Sequence, residues 1–411
     1  MLRLFTQVRW FLLWLGLAAA LAALVRLHPA ASAGGPTSAA PMLHGASSLA
    51  WLCCSPFIFI LRVIIGPQAY ASGLLQFVAA LISSGLLVLC VHRFVAMRRS
   101  LAGGSSSPNV AGTRVGLSRR RFIADGVAVA VIAPPVATLA HAAIIAPWQL
   151  RIERHRVPIR DLPAAFDGIR LVQISDTHLG RFVPATFIAE VVEQAIALRP
   201  DVVLMTGDYV FGGTEHIDPA AAGLRPLAER LSGIPLLAVL GNHDWYADAP
   251  RMRRALESIG VRMLDNARVY LDAASRRVSD RFEGAPALCF AGVGDFWTDR
   301  VDLAAALEGV PEDVPRVLLS HNPDVAETLV PISGRRVDLM LSGHTHGGQV
   351  NLPLIGARFA PSRYGAKYAG GLVQGPACPV VISRGIGMSI APVRFRVPPE
   401  IVEITLVRDR E

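Results

Sequence analysis

Five short clusters in this chain of 411 residues carry the side chains best suited to chemistry. They are Ser175-Asp176-Thr177-His178, Thr206-Gly207-Asp208, Leu240-Gly241-Asn242-His243-Asp244, Ser320-His321-Asn322 and Ser342-Gly343-His344-Thr345-His346. Each follows an apolar, β-branched run and opens into glycine or polar residues, which is how a site-bearing strand end reads in an open α/β sheet. Imidazoles, carboxylates and amides, with no thiolate among them, suit two hard-to-borderline divalent cations. Six histidines lie beyond Phe166, and five of them fall in these clusters. The set reads as a binuclear metallohydrolase site.

The order Asp176-Thr177-His178, Gly207-Asp208, Gly241-Asn242-His243-Asp244, His321 and Gly343-His344-Thr345-His346 resembles the calcineurin-like metallophosphoesterase family. Any one of these motifs is weak evidence, whereas five in the family's order are specific. By that resemblance Asp208 bridges two divalent cations about 3.5–4 Å apart, which together activate water and screen phosphate oxygens. Asp176, His178 and His346 complete one shell, and Asn242, His321 and His344 the other. Manganese, iron and zinc all suit such nitrogen and oxygen donors. His243 stays off the cations and stabilises phosphate charge or protonates the leaving oxygen, with Asp244 orienting its ring by a hydrogen bond. The glycines before Asp208, Asn242 and His344 allow the tight backbone paths that aim those side chains.

Later segments narrow the resemblance. Gly347-Gly348-Gln349-Val350, Ser383-Arg384-Gly385-Ile386-Gly387, Pro392-Val393-Arg394-Phe395 and Pro399-Glu400-Ile401 together are similar to a membrane-associated branch of the family. Its members hydrolyse phosphodiesters or the pyrophosphate of UDP-2,3-diacylglucosamine, and some are exported by the twin-arginine route. The likeness runs from about Trp148 to the end. One departure stands out: Tyr209-Val210 follows Gly-Asp where several relatives carry another carboxylate, so their substrates do not transfer directly.

Other polar residues have plainer readings. Asp201 and Asp338 precede strands and suit helix–strand junctions. His216 is either an exposed loop residue or a substrate contact, and Arg363, Tyr364 and Lys367 either clamp a phosphate or form a basic solvated loop. His28, His44, His92, His141 and His155 belong to no motif.

The positioning elements are legible as alternating strands and helices. Strands are expected at residues 170–174, 202–205, 236–240, 287–291, 316–319, 337–341 and 380–383. Residues 184–198 place Phe187, Ile188, Val191, Val192, Ala195 and Ile196 on one helical face, with Pro184 near the start where its missing N–H costs nothing. The expected fold is α/β, a layered sandwich of two mixed sheets spanning residues 148–411 and preceded by an all-α membrane region. Cys289 and Cys378 fall in expected strands as small core residues, with a disulfide between them as the alternative.

The first 122 residues are unlike the rest. Of 40 basic and 32 acidic residues, eleven arginines and no acidic residue fall there, leaving 29 basic against 32 acidic elsewhere. The basic pI of about 9.8 therefore belongs to the N-terminal region, and the site-bearing part has no surplus of cations for nucleic acid. Apolar runs at residues 10–25, 49–65 and 74–91 are candidate spans, each near or slightly under the roughly 20 residues a bilayer requires. Residues 101–121 form a basic Gly/Ser linker. Ser118-Arg119-Arg120-Arg121-Phe122 and the apolar residues after it are either a twin-arginine signal, with Ala140-His141-Ala142 as a cleavage pattern, or a fourth membrane helix over residues 122–147. Seven arginines between Arg93 and Arg121 belong on the cytoplasmic side, which places the following domain outside a bacterial inner membrane.

Together these features describe a membrane-anchored dimetal phosphohydrolase acting on a phosphodiester or pyrophosphate, with a lipid-linked or nucleotide-sugar phosphate ester and the lipid bilayer as partners. The alternative is a membrane transporter or sensor with a regulatory metal-binding domain. The complete ligand set speaks against it, since a retired site loses members.

Overall fold

The computed structural model describes Pro134 and residues 137–409, except residues 285, 328–333, 354, 355, 358, 359 and 390. The expected spans at residues 10–25, 49–65 and 74–91, the linker at 101–121 and the twin-arginine segment at 118–123 lie outside the described residues. Among the described residues, no helix is long and apolar enough to cross a membrane.

Fifteen strands follow in chain order: β1 (Arg151–Ile159), β2 (Arg170–Ile174), β3 (Leu179–Gly180), β4 (Val202–Thr206), β5 (Val210–Phe211), β6 (Leu236–Val239), β7 (Arg262–Met263), β8 (Ala267–Asp272), β9 (Val278–Ser279), β10 (Ala287–Gly292), β11 (Arg316–Leu319), β12 (Leu339–Ser342), β13 (Gly371–Gln374), β14 (Pro379–Ile382) and β15 (Glu400–Arg408). The α-helices described from end to end are α1 (Ala185–Ala197), α2 (Ile217–Arg230), α3 (Asn242–Ala247), α4 (Ala249–Glu257) and α5 (Leu303–Leu307). All seven expected strands are present, with ends shifted by no more than two residues. The long strands β1 and β15 were not expected. β1 sits at a sheet edge, and its sequence Arg-Ile-Glu-Arg-His-Arg-Val-Pro-Ile carries the charges and proline that blunt an edge against pairing.

One sheet has the order β1-β15-β2-β4-β6-β7 and the other β13-β14-β12-β11-β10-β8-β9. Both are mixed. β2, β4, β6 and β7 run parallel, as do β10, β11, β12 and β14, while β15 is antiparallel to β2 and β8 to β10. Alternation along the strands sorts side chains into layers. Leu171, Val202, Leu204, Leu237 and Val239 point between the sheets to meet Leu288, Phe290, Val317, Leu319 and Leu341. Val172, Ile174, Val203 and Met205 point outward onto Phe187, Ile188 and Val191 of α1 and Leu224 of α2. The second sheet likewise covers its outer face with Leu303 and Ala306 of α5. The result is a four-layer α/β sandwich. Cys289 and Cys378 are buried free thiols.

This topology sends the five clusters to one place. β2, β4 and β6 end at the same edge of the first sheet, and β11 and β12 deliver theirs from the second.

Candidate metal centre

The loop after β2 supplies Asp176 and His178, the loop after β4 supplies Asp208, and α3 opens with Asn242 and His243. The loops after β11 and β12 supply His321, His344 and His346. Their donor atoms converge. Asp208 Oδ2 lies 3.4 Å from His178 Nε2 and 3.2 Å from His321 Nε2, between the two. On one side His178 Nε2 is 2.9 Å from His346 Nε2, which is 3.3 Å from Asp176 Oδ1. On the other, His321 Nε2 is 3.2 Å from both Asn242 Oδ1 and His344 Nδ1. Asp176, His178 and His346 thus form one group able to hold a cation, and Asp208, His321 and His344 a second; His178, Asp208 and His243 form a third that overlaps both, so the His243 ring also stands within reach.

These groups fit divalent metal ions on two counts. Ring nitrogens that crowd one another inside a protein repel unless a proton or a cation lies between them. His321 Nδ1 donates to the Thr206 carbonyl at 2.7 Å, which turns Nε2 inward. Although burial opposes it, the Asp208 carboxylate holds this imidazole's pKa well above its usual value, so positive charge is favoured at this spot. Burial first, with the neighbouring imidazoles adding to it against the pull of Asp208, pushes His178 and His344 down to about 3, favouring neutral imidazole. Burial raises the Asp176 carboxyl to about 7, a group that ionises readily only beside positive charge. For Asp208 burial opposes ionisation, yet His321 and His243 hold the carboxyl well below its usual range.

Five of the seven candidate ligands have left-handed backbone: Asp176 (φ 52°), His178 (46°), Asp208 (57°), His344 (69°) and His346 (51°). Such conformations cost non-glycine residues of order 1 kcal/mol each and persist where the surroundings over-determine them. Here the loops are zipped together: Asp176 N donates to Gly207 O and His178 N to Asp208 O. Gly343 lies so close to the β2 loop that a Cβ would sit 2.0 Å from Ser175 Oγ. The expected tight path before His344 is therefore a matter of close approach rather than of φ.

Asp244 departs from the expected role. Its Oδ2 accepts from Asp208 N and Gly241 N, and Oδ1 from Tyr209 N, so the carboxylate joins two loops instead of orienting the His243 ring. Three backbone donors point at the carboxylate from its own cavity, leaving the ring to other partners. His243 is set instead by ring contacts with His178 (4.8 Å), Phe211 (5.2 Å) and Tyr246 (5.4 Å). Its backbone N–H donates to Asp208 Oδ1 at 2.8 Å. Burial lowers its pKa.

Sequence reasoning missed a buried polar chain beneath Asp176. Gln173 Nε2 donates to Thr206 Oγ1 and to Ser342 O on the other sheet, Thr206 Oγ1 donates to Ser175 Oγ, and Ser175 Oγ to Asp176 Oδ2 at 2.5 Å. The available signal was a glutamine on the inward face of an otherwise apolar strand. Asp295, after β10, was also missed; its Oδ2 accepts from Trp297 N and Thr298 N and holds the Trp297 ring 4.2 Å from His344.

The secondary candidates lie apart from the donors. Asp201 and Asp338 accept from the first N–H of β2 and β11, at Arg170 and Arg316, as junction residues should. Lys367 pairs with Glu327 at 2.7 Å, and the Arg363 guanidinium lies over Phe296. His216 lies 3.6 Å from Glu215. Tyr209 is core, its hydroxyl donating to Val239 O.

A family model described as calcineurin-like phosphoesterase matches residues 169–348. Phosphodiesterase YaeI of Escherichia coli is 31% identical over 296 residues, covering 71% of this chain and all of that protein. A transmembrane protein with metallophosphoesterase domain from Danio rerio is 29% identical over 71% of this chain and 66% of its own length. UDP-2,3-diacylglucosamine pyrophosphatase LpxG of Chlamydia trachomatis is 26% identical over 66% of this chain and 93% of its own length.

Proposed function

The chain belongs to the calcineurin-like phosphoesterase family, a metal-dependent phosphoric-ester hydrolase by descent, and from that premise we propose a membrane-anchored dimetal enzyme that cleaves a phosphodiester or pyrophosphate. The carrying observation is Asp208 Oδ2 standing between His178 Nε2 and His321 Nε2, the geometry a carboxylate needs to bridge two cations. Asp176, His178 and His346 would hold one ion and Asn242, His321 and His344 the other, each as manganese, iron or zinc. Bound there, the pair supplies an activated water and neutralises phosphate charge.

The chain's own residues do the rest. Asn242 offers a neutral oxygen, which limits negative charge facing an anionic substrate. His243, neutral at pH 7 because burial lowers its pKa, presents one N–H to a phosphate oxygen or the leaving oxygen. Its ring is held by Phe211 and Tyr246, so the donor is fixed before substrate arrives.

A lipid-linked or nucleotide-sugar substrate such as UDP-2,3-diacylglucosamine is supported by the name of the Chlamydia relative. Membrane anchoring is supported by the apolar, arginine-bounded N-terminal runs and by the name of the zebrafish relative. The arginine bias favours a domain outside the inner membrane.

The test uses the full chain in detergent, stripped with chelator and refilled with manganese. Two bound ions and metal-dependent cleavage of a chromogenic diester are expected. Cleavage should fall more than about 100-fold in Asp208→Ala. Two bound ions with no turnover of diesters or pyrophosphates would overturn the proposal.

A further inference from the structure

We propose that the metal-bearing end of the sandwich docks onto a phospholipid bilayer, so that the site meets its substrate at the lipid interface. This rests on the membrane-anchored reading above and names the surface that makes use of it.

Apolar exposure is concentrated at that end. Nine large hydrophobic side chains are exposed among the described residues, and seven lie there. Trp245 and Tyr246 follow β6 on one sheet, with Tyr246 61% exposed and its ring against His243. Trp297 and Tyr364 stand on the side of the other sheet, Trp297 46% exposed and its ring against His344. The candidate cation sites are thus flanked from both sides by aromatic rings that face solvent. Of the remaining two exposed hydrophobics, Leu372 lies on edge strand β13 and Phe282 packs against Tyr270 of β8. Neither is at the opposite end, where the loops before β11 and after β1 present Glu312, Asp313, Arg160 and Asp161 instead.

The path of the chain points to the same occupant. β1 is parallel to β15, and β15 is antiparallel to β2, so the start of β1 lies at the end where β2 delivers Asp176. The polypeptide enters there through residues 137–150, after an N-terminal region that contains the arginine-bounded apolar runs. Ile144 (68% exposed), Ile145 and Trp148 sit on this entry segment. Beside it a cavity of about 360 Å³ next to Gly347 is lined by Arg151, Arg396 and Glu153, and by Arg384 ion-paired with Glu400, which leaves Arg151 and Arg396 to meet phosphate. Tryptophan and tyrosine with arginine nearby are the side chains that partition into the headgroup region, rings against acyl chains and guanidinium on phosphate. A rim of this kind around a hydrolytic centre delivers amphiphilic phosphate esters without full extraction from the membrane.

The test places an environment-sensitive fluorescent amino acid at Tyr246, Tyr364 or Asp313 in the otherwise unchanged full chain. The protein is reconstituted in phosphatidylcholine vesicles with or without phosphatidylglycerol, carrying a doxyl-labelled lipid quencher. Blue-shifted, quenched emission at 246 and 364, stronger with the anionic lipid, beside solvent-like emission at 313, is expected. Solvent-like emission at all three, or equal quenching at all three, overturns the proposal. So does a shift at 246 and 364 that appears in detergent and grows with protein concentration, which marks a second copy of the chain as the occupant. Quenching needs no turnover. Turnover is read on the unlabelled chain, because Tyr246 holds the His243 ring. Quenching with an inactive unlabelled chain overturns the hydrolase reading alone, and an active unlabelled chain without quenching overturns docking alone.

Discussion

At Asp244 a buried carboxylate gathers three backbone N–H groups from two loops, and burial together with Asp208 raises its pKa to about 8. Replacing it by alanine leaves those donors unsatisfied, a cost of about 3 kcal/mol or more. Asp244→Ala should therefore show a lowered denaturation midpoint and lost metal in the same sample. His243 gives the contrasting result. Its ring lies outside the candidate ligand set, so His243→Gln should retain two metal ions while kcat falls about 10²-fold or more. Metal analysis beside steady-state kinetics separates the two variants, and a His243→Gln protein that loses metal would show that this ring is a ligand.

The elements matter through the loops they end in. The loop after β14 lies under the Asp176 group: Ile386 N donates to Ser175 O and Gly387 N to Asp176 O. It is held by Arg394, a buried guanidinium that donates to the carbonyls of Arg384, Gly385, Gly387 and Val397. Burial lowers the Arg394 pKa to about 10, which leaves it charged at neutral pH. Gly385 has φ +70°, and a Cβ there would lie 2.8 Å from Asp176 Cβ and 3.2 Å from His346 Nδ1. Gly385→Ala should weaken the cation held by Asp176, His178 and His346 about 10–100-fold and spare the one held by Asn242, His321 and His344. Titration with manganese would then show one tight ion where the parent shows two. Two unchanged affinities would mean the loop yields without moving Asp176.

Across the whole molecule the candidate ligands join two sheets. Asp176, His178, Asp208 and Asn242 come from the first, and His321, His344 and His346 from the second, with Gln173 spanning the gap below them. A cation pair would therefore hold the open end of the inter-sheet core closed. Ligand that binds only the folded state at 100 times its dissociation constant adds about 2.7 kcal/mol. Chelation should accordingly lower the midpoint of thermal unfolding by about 5–10 °C, reversed by manganese and absent in Asp208→Ala. An unchanged melt after verified metal removal would show that the sheets are held by their apolar core alone.

Residue type and strand periodicity already determined much of this protein. Apolar runs of β-branched residues marked the strands, and the polar clusters at their ends held the seven residues that the family resemblance assigns as candidate ligands. Charge distribution separated the arginine-rich N-terminal region from the rest. What the sequence left open is whatever depends on contacts between distant segments. Asp244 precedes no signal that its partners are the amides of Asp208 and Tyr209, thirty-five residues away and more. β1 and β15 are paired across 249 positions, and a charged edge strand has no apolar alternation to announce it. Left-handed backbone at Asp176, His178, Asp208, His344 and His346 is imposed by loops packed against one another, which no local propensity contains. The tertiary structure alone decided that the aromatic rings at 246 and 297 flank one site, since a sheet order reached through crossovers, not sequence spacing, sets which strand ends are neighbours.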